Sequence, residues 1–134
     1  MAEAVLRVRL STRGSPGGYR VASRATSSLH LGKGADPRAL AALGQRAEAI
    51  AGHRVRQIED DDFSTYPLIV AMDRGILRTL QGWAPADFGG TLRLLPARQG
   101  AREIEDPYSG GAEAFARALR DIEAGIDLLL QELG

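Results

Sequence analysis

The sequence predicts an alternating α/β domain, with helices on both faces of a short, mostly parallel sheet. Three observations carry that prediction. Segments of helical periodicity alternate with short apolar runs. One of those runs, Pro67 to Met72, is continuously apolar over the length of a strand covered on both faces. Glycines and prolines punctuate the boundaries between the runs.

Met1 to Arg13 places Ala4, Val5 and Val8 at helical spacing, with Glu3 early and Arg7, Arg9 and Arg13 late, the order a helix dipole favours. Gly14-Ser15-Pro16-Gly17-Gly18 breaks this helix, and Tyr19 to Ser23 reads as a short strand around Val21. Asp36-Pro37 starts the next helix: the aspartate oxygen caps free N–H groups, and proline loses nothing in the first turn. The alanine-rich run Arg38 to Ile50 continues it as far as Gly52.

Asp60-Asp61-Asp62-Phe63 starts a short helical turn, and the Pro67 to Met72 strand follows. Asp73 to Gln81 is helical, with Asp73 as its N-cap, and closes at Gly82. Thr91 to Leu95 is the third strand. In Ala112 to Leu133, Phe115, Leu119, Ile122, Ile126 and Leu129 recur at helical intervals opposite Arg117, Arg120 and Glu123. No internal repeat or long linker interrupts residues 1–134, so one domain is expected. The order is unusual in opening on a helix, because a doubly wound domain commonly opens on a strand whose following turn holds an anion.

Composition narrows the function. The 134 residues balance 17 Lys+Arg against 17 Asp+Glu and contain no cysteine. A chain of this length buries roughly two-thirds of its unfolded surface, enough for one core without cross-links. Net neutrality argues against a general nucleic-acid binder, which needs clustered cations. No apolar run has the length of a membrane span, and the opening residues lack the blocks of a secretory signal, so a cytoplasmic location and no membrane partner are expected. His30 shares no metal-binding spacing with another histidine or acidic cluster and reads as an exposed loop residue. Asp60-Asp61-Asp62 lacks the spacing and glycine of a calcium loop and reads as a solvated helix start. Gly17-Gly18 and Gly89-Gly90 read as turns, without a nucleotide-loop pattern. No cofactor or metal is expected.

Five segments, in order, carry a resemblance. Met1-Ala2-Glu3-Ala4-Val5-Leu6, Asp36-Pro37-Arg38-Ala39, Gly52-His53-Arg54-Val55-Arg56-Gln57, Leu68-Ile69-Val70-Ala71-Met72-Asp73 and Glu105-Asp106-Pro107-Tyr108 resemble the low-molecular-weight protein tyrosine phosphatases, whose framework the related arsenate reductases share. The resemblance implies a three-layer, flavodoxin-like α/β domain with a short parallel sheet. In that family the segment matching Met1 to Ala4 follows a phosphate-binding loop of pattern Cys, five residues, Arg, Ser or Thr. The chain thus resembles the family with its first strand and whole phosphate loop missing, and residue 1 looks like an internal methionine.

The resemblance also implies site residues. Asp106 matches the general acid that protonates the leaving oxygen; read alone, Asp106-Pro107 is a turn starter. Tyr108 matches an aromatic that walls the cleft against phosphotyrosine, although Ser109 stands where a second aromatic is frequent. Ser23 and His53 match residues that support the phosphate loop; read alone, they are a strand-end serine and a helix-end histidine. Arg24 stands beside Ser23, where the family has small residues.

Two functions follow. The first is hydrolysis of phosphotyrosine proteins or small aryl phosphates by a full-length form, with the present residues inactive for want of the cysteine and arginine of the loop. The alternative is a non-catalytic pseudophosphatase or phosphoprotein-interaction module, using another anion site such as Arg24, Arg54 or Arg56. A monomer or weak dimer is expected.

Overall fold

The computed structural model describes residues 1–12, 19–96, 104 and 106–133. Helix α1 (Ala2–Thr12) opens the chain, with Glu3 in its first turn and Arg9 in its last. Ala4 and Val5 are 0% exposed and seat it in the core. The breaker foreseen at Gly14 to Gly18 lies outside the described residues.

Tyr19 to Ser23 does not form the expected strand. The carbonyl of Val21 accepts a 2.6 Å hydrogen bond from the Arg7 guanidinium instead of a strand neighbour. Pairing comes two residues beyond Ser23, as an isolated parallel bridge between Ala25 and Gln57, with Ala25 N–H donating to Arg56 and Ile58 N–H donating back to Ala25.

Helix α2 (Pro37–Leu43) is capped by Asp36, whose side chain accepts from the Arg38 amide. It is shorter than the sequence predicts. Gly44 adopts φ 61°, a left-handed conformation that stops an α-helix, and a 3-10 turn continues over Gly44–Ile50. Helix α3 (Asp60–Thr65) is opened by a reciprocal cap between Glu59 and Asp62.

Strands β1 (Leu68–Ala71) and β2 (Thr91–Leu94) pair in parallel, Leu68 opposite Thr91 and Ala71 opposite Leu94. Helix α4 (Arg74–Trp83) crosses between them; Asp73 caps it, its Oδ1 accepting from the Ile76 amide at 2.7 Å. Helix α5 (Ala112–Leu133) closes the chain over the predicted span.

Alternation along β1 sorts the core into two bodies. Val70 and Met72 pack into a cluster with Val5, Leu95, Leu119, Ile122 and Ile126. Ile69 and Ala71 turn to the other face, against Phe63, Leu77 and Leu80. Helices α1 and α5 thus lie on one face of the β1–β2 pair and α4 on the other, the three layers expected. Two strands stand among the described residues where three were expected, the difference being Tyr19 to Ser23. No described helix is long and apolar enough to cross a membrane.

Candidate functional site

A cleft of about 270 Å³ opens between the first turn of α1, the start of α2 and the turn before α5, and Glu3, Ser23, Asp36, His53, Asp106 and Tyr108 line it. All four residues singled out from the sequence, Ser23, His53, Asp106 and Tyr108, therefore share one depression. Arg24, Arg54 and Arg56 stand outside its walls.

Glu3 ties the floor together. With Ala4 and Val5 turned into the core, the helix points Glu3 at the cleft, and its side chain keeps only 11% of its surface exposed. The Ser23 hydroxyl donates to Glu3 Oε1 at 2.6 Å, and Arg7 Nε donates to Oε2 at 2.9 Å. Both bonds end on a charged acceptor and are stronger than neutral ones. His53 Nδ1 lies 3.9 Å from the same Oε1, too far for a hydrogen bond and close enough for charge attraction once the imidazole is protonated. His53 enters through Gly52, at φ 79°, with its amide bonded to Ile50. The helix-end reading and the cleft-lining position therefore hold together.

Arg24, large where a small residue was expected, is accommodated by turning away from the cleft. Its Nε reaches Asp62 Oδ2 at 3.2 Å, and its Nη1 donates to the Ser23 carbonyl at 2.9 Å. Asp62 is consequently buried and paired, which corrects the expectation of a solvated Asp60-Asp61-Asp62 run for this one residue. Asp60 is exposed.

The turn before α5 carries the other half of the site. Asp106 is exposed, and its Oδ1 accepts from the Tyr108 amide at 3.0 Å, the turn that Asp-Pro chemistry favours. Glu105 lies outside the described residues. The chain enters this turn from Ile104, which is buried and bonded through its amide to the Met72 carbonyl. It leaves through Gly110, whose carbonyl accepts from Arg38 at 2.8 Å. Tyr108 is 55% exposed. The His30 ring stands 5.3 Å from the Tyr108 ring, so His30 belongs to the rim and not simply to an exposed loop.

Sequence reasoning missed Glu3, Arg38 and His30 as parts of this site. For Arg38 a signal existed, because an arginine two residues after an Asp-Pro cap can fold back on the aspartate. Here it does, with Nε and Nη2 on the two Asp36 oxygens at 3.2 and 3.0 Å. That guanidinium holds the Asp36 carboxyl below the usual aspartate range. Nothing local flagged Glu3 or His30 as part of the cleft, because Glu3 meets Ser23 across 20 residues and His30 meets Tyr108 across 78.

Comparison with known proteins gives the family and the fold. A family model described as low molecular weight phosphotyrosine protein phosphatase matches residues 1–134. A low molecular weight protein-tyrosine-phosphatase of Streptomyces coelicolor is 38% identical over 136 residues, covering 97% of this chain and 82% of the relative. Among solved structures, a low molecular weight phosphotyrosine phosphatase of Vibrio cholerae superposes with a TM-score of 0.83 at 29% identity, over 98% of this chain and 86% of the other. Vibrio vulnificus Wzb, solved in complex with benzylphosphonate, superposes at 0.77 and 25% identity over 98% and 87%. Motifs, layers and cleft thus lead to one assignment: the chain belongs to the low-molecular-weight phosphotyrosine protein phosphatase family.

Proposed function

We propose that the protein serves hydrolysis of phosphotyrosine or small aryl phosphate monoesters, with Asp106 as the general acid and Tyr108 as the aromatic wall. The observation that carries this reading is that Ser23, His53, Asp106 and Tyr108, scattered over 86 positions, line one cleft. In the reaction a thiolate attacks phosphorus, and the bond from phosphorus to the aryl oxygen breaks with its electron pair on oxygen. Asp106 gives that oxygen its proton. Water then displaces the thiolate from phosphorus, and the Asp106 carboxylate takes the proton from the attacking water. Glu3, Ser23 and His53 hold the floor against which a phosphate loop would rest.

The 134 residues contain no cysteine, so this reading assigns turnover to a form that adds a Cys-x5-Arg loop, and expects none from these residues alone. The proposed setting is the cytoplasm, as a monomer or weak dimer acting on a phosphotyrosine protein. The exposed Tyr108 also suits the second reading, a module that binds a phosphoprotein without cleaving it.

The test is the intact mass and N-terminal peptide of the native protein, together with hydrolysis of an aryl phosphate. A heavier product carrying Cys-x5-Arg, with activity reduced about 10²–10⁴-fold on poor leaving groups by Asp106→Asn, is the expected result. A native product that begins at Met1 and hydrolyses nothing refutes the catalytic reading in favour of the binding one.

A further inference from the structure

Asp106 and Tyr108 stand on a turn whose internal bonds are short-range: Tyr108 N–H to Asp106, and Gly110 N–H to the Pro107 carbonyl. Such bonds shape a turn without fixing where it stands on the protein. Arg38 supplies a link of a different kind. From the first turn of α2 its Nη1 reaches across 72 residues to the Gly110 carbonyl at 2.8 Å. Its Nε and Nη2 chelate Asp36, the cap of its own helix. Its guanidinium carbon lies 5.5 Å from the centre of the Tyr108 ring and 4.6 Å from that of Phe115. Phe115 is 4% exposed and belongs to α5. One planar group thus joins the α2 cap, the Tyr108 ring, the turn backbone and a buried ring of α5.

From this juxtaposition we infer that Arg38 is the positioning residue of the Asp106–Tyr108 turn, setting the acid and the aromatic wall relative to the cleft without touching the substrate. The catalytic meaning of that role rests on the function proposed above; the mechanical role does not. The chemistry requires arginine. A guanidinium offers a rigid fork for a carboxylate, a further N–H for a carbonyl, and flat faces for aromatic rings, whereas a lysine ammonium is a compact point charge that cannot serve all three. Asp36 is the other half of the device, since its carboxylate fixes the plane of the fork.

Amide hydrogen exchange, followed by NMR on the 134-residue chain, tests the inference. Arg38→Ala and Arg38→Lys should each speed exchange at the Tyr108 and Gly110 amides at least tenfold. The Leu95 amide, bonded to Ala71 at 2.8 Å beside the sheet, should change less than twofold. Asp36→Asn keeps a capping side chain while discharging the fork's partner. It should give an intermediate effect at the same two amides, and it reads the role even where Arg38→Ala does not fold.

Tyr108 and Gly110 exchange unchanged in Arg38→Ala would overturn the inference. So would wild-type behaviour of Arg38→Lys, which would reduce the role to charge. An equal acceleration at Leu95 would make Arg38 a general stability residue and overturn it too. Titration with benzylphosphonate reports separately on the cleft. If the turn loosens in Arg38→Ala while benzylphosphonate shifts no cleft amide in the unsubstituted chain, Arg38 keeps its role and the binding-module reading of these residues fails; the phosphatase reading stands or falls separately, on Asp106→Asn in the form that carries the Cys-x5-Arg loop.

Discussion

Replacing Glu3 by glutamine should test whether the cleft floor depends on charge or on shape. Glutamine keeps the length of the side chain and an oxygen for Ser23, and removes the negative charge that Ser23 and Arg7 meet at 2.6 and 2.9 Å. A hydrogen bond to a charged group contributes about 1.5–3 kcal/mol and a neutral one about 0.5–1.5 kcal/mol, so the Ser23 bond should weaken by about 1 kcal/mol. The Arg7 pair spans four residues of a helix with the arginine side chain 44% exposed, which limits its share to about 0.3–0.5 kcal/mol. The total, about 1.5 kcal/mol, corresponds to a Tm lower by about 6 °C in a domain of this size. Thermal unfolding of Glu3→Gln, Ser23→Ala and the double variant, followed by circular dichroism, measures it. The coupling between the two sites should be about 1 kcal/mol. Additivity within about 0.3 kcal/mol, the behaviour of independent sites, would refute the argument that Glu3 holds Ser23 through its charge.

Other outcomes follow from the same geometry. Gly125→Ala gives a sign test: alanine in a helix interior is intrinsically better than glycine by about 1 kcal/mol. Here, however, the added Cβ would run into the Pro96 carbonyl oxygen and lie 2.9 Å from Leu95, so a net loss of about 2 kcal/mol is expected in urea unfolding. Asp62→Ala removes a helix cap and the partner of Arg24 together; a loss of about 2–3 kcal/mol is expected by the same measurement. The Asp36 carboxyl, held low by Arg38, stabilises the fold fully above the ordinary aspartate range and loses that contribution as pH falls through its depressed value. Its NMR titration should therefore have a midpoint below that of a free aspartate, and Arg38→Ala should move the midpoint up.

Long periodic elements were legible in the sequence because their signal is local. Helix α5 shows its apolar stripe over 22 residues, and Asp36-Pro37 and Asp73 announce helix starts through capping chemistry that needs no distant partner. Tyr19 to Ser23 failed for the opposite reason: whether Val21 joins a sheet depends on what meets its carbonyl, and a side chain 14 residues back takes it. Helix α2 was overextended because alanine-rich composition outweighed a single Gly44, whose left-handed φ stops the helix. In the site, Ser23, His53, Asp106 and Tyr108 could be named through a resemblance. The bonds that organise them could not, because Glu3 meets Ser23 and Arg38 meets Gly110 only after the chain has closed.

That closure has a consequence for synthesis. Helix α1 begins at residue 2, yet it rests against α5, and Arg9 pairs with Asp127 across 118 positions at 2.9 Å. A ribosome adding about 5–20 residues per second releases α5 on the order of ten seconds after α1. Throughout that interval Ala4, Val5 and Leu10 have only the cover of the Gly44–Ile50 turn, which also packs on α1. The nascent chain therefore spends much of its synthesis with one of its most deeply buried helices only partly covered, and that cluster is complete only after α5 has left the exit tunnel. Truncations from the C-terminus should accordingly be judged by what happens to α1, more than a hundred residues away from the cut.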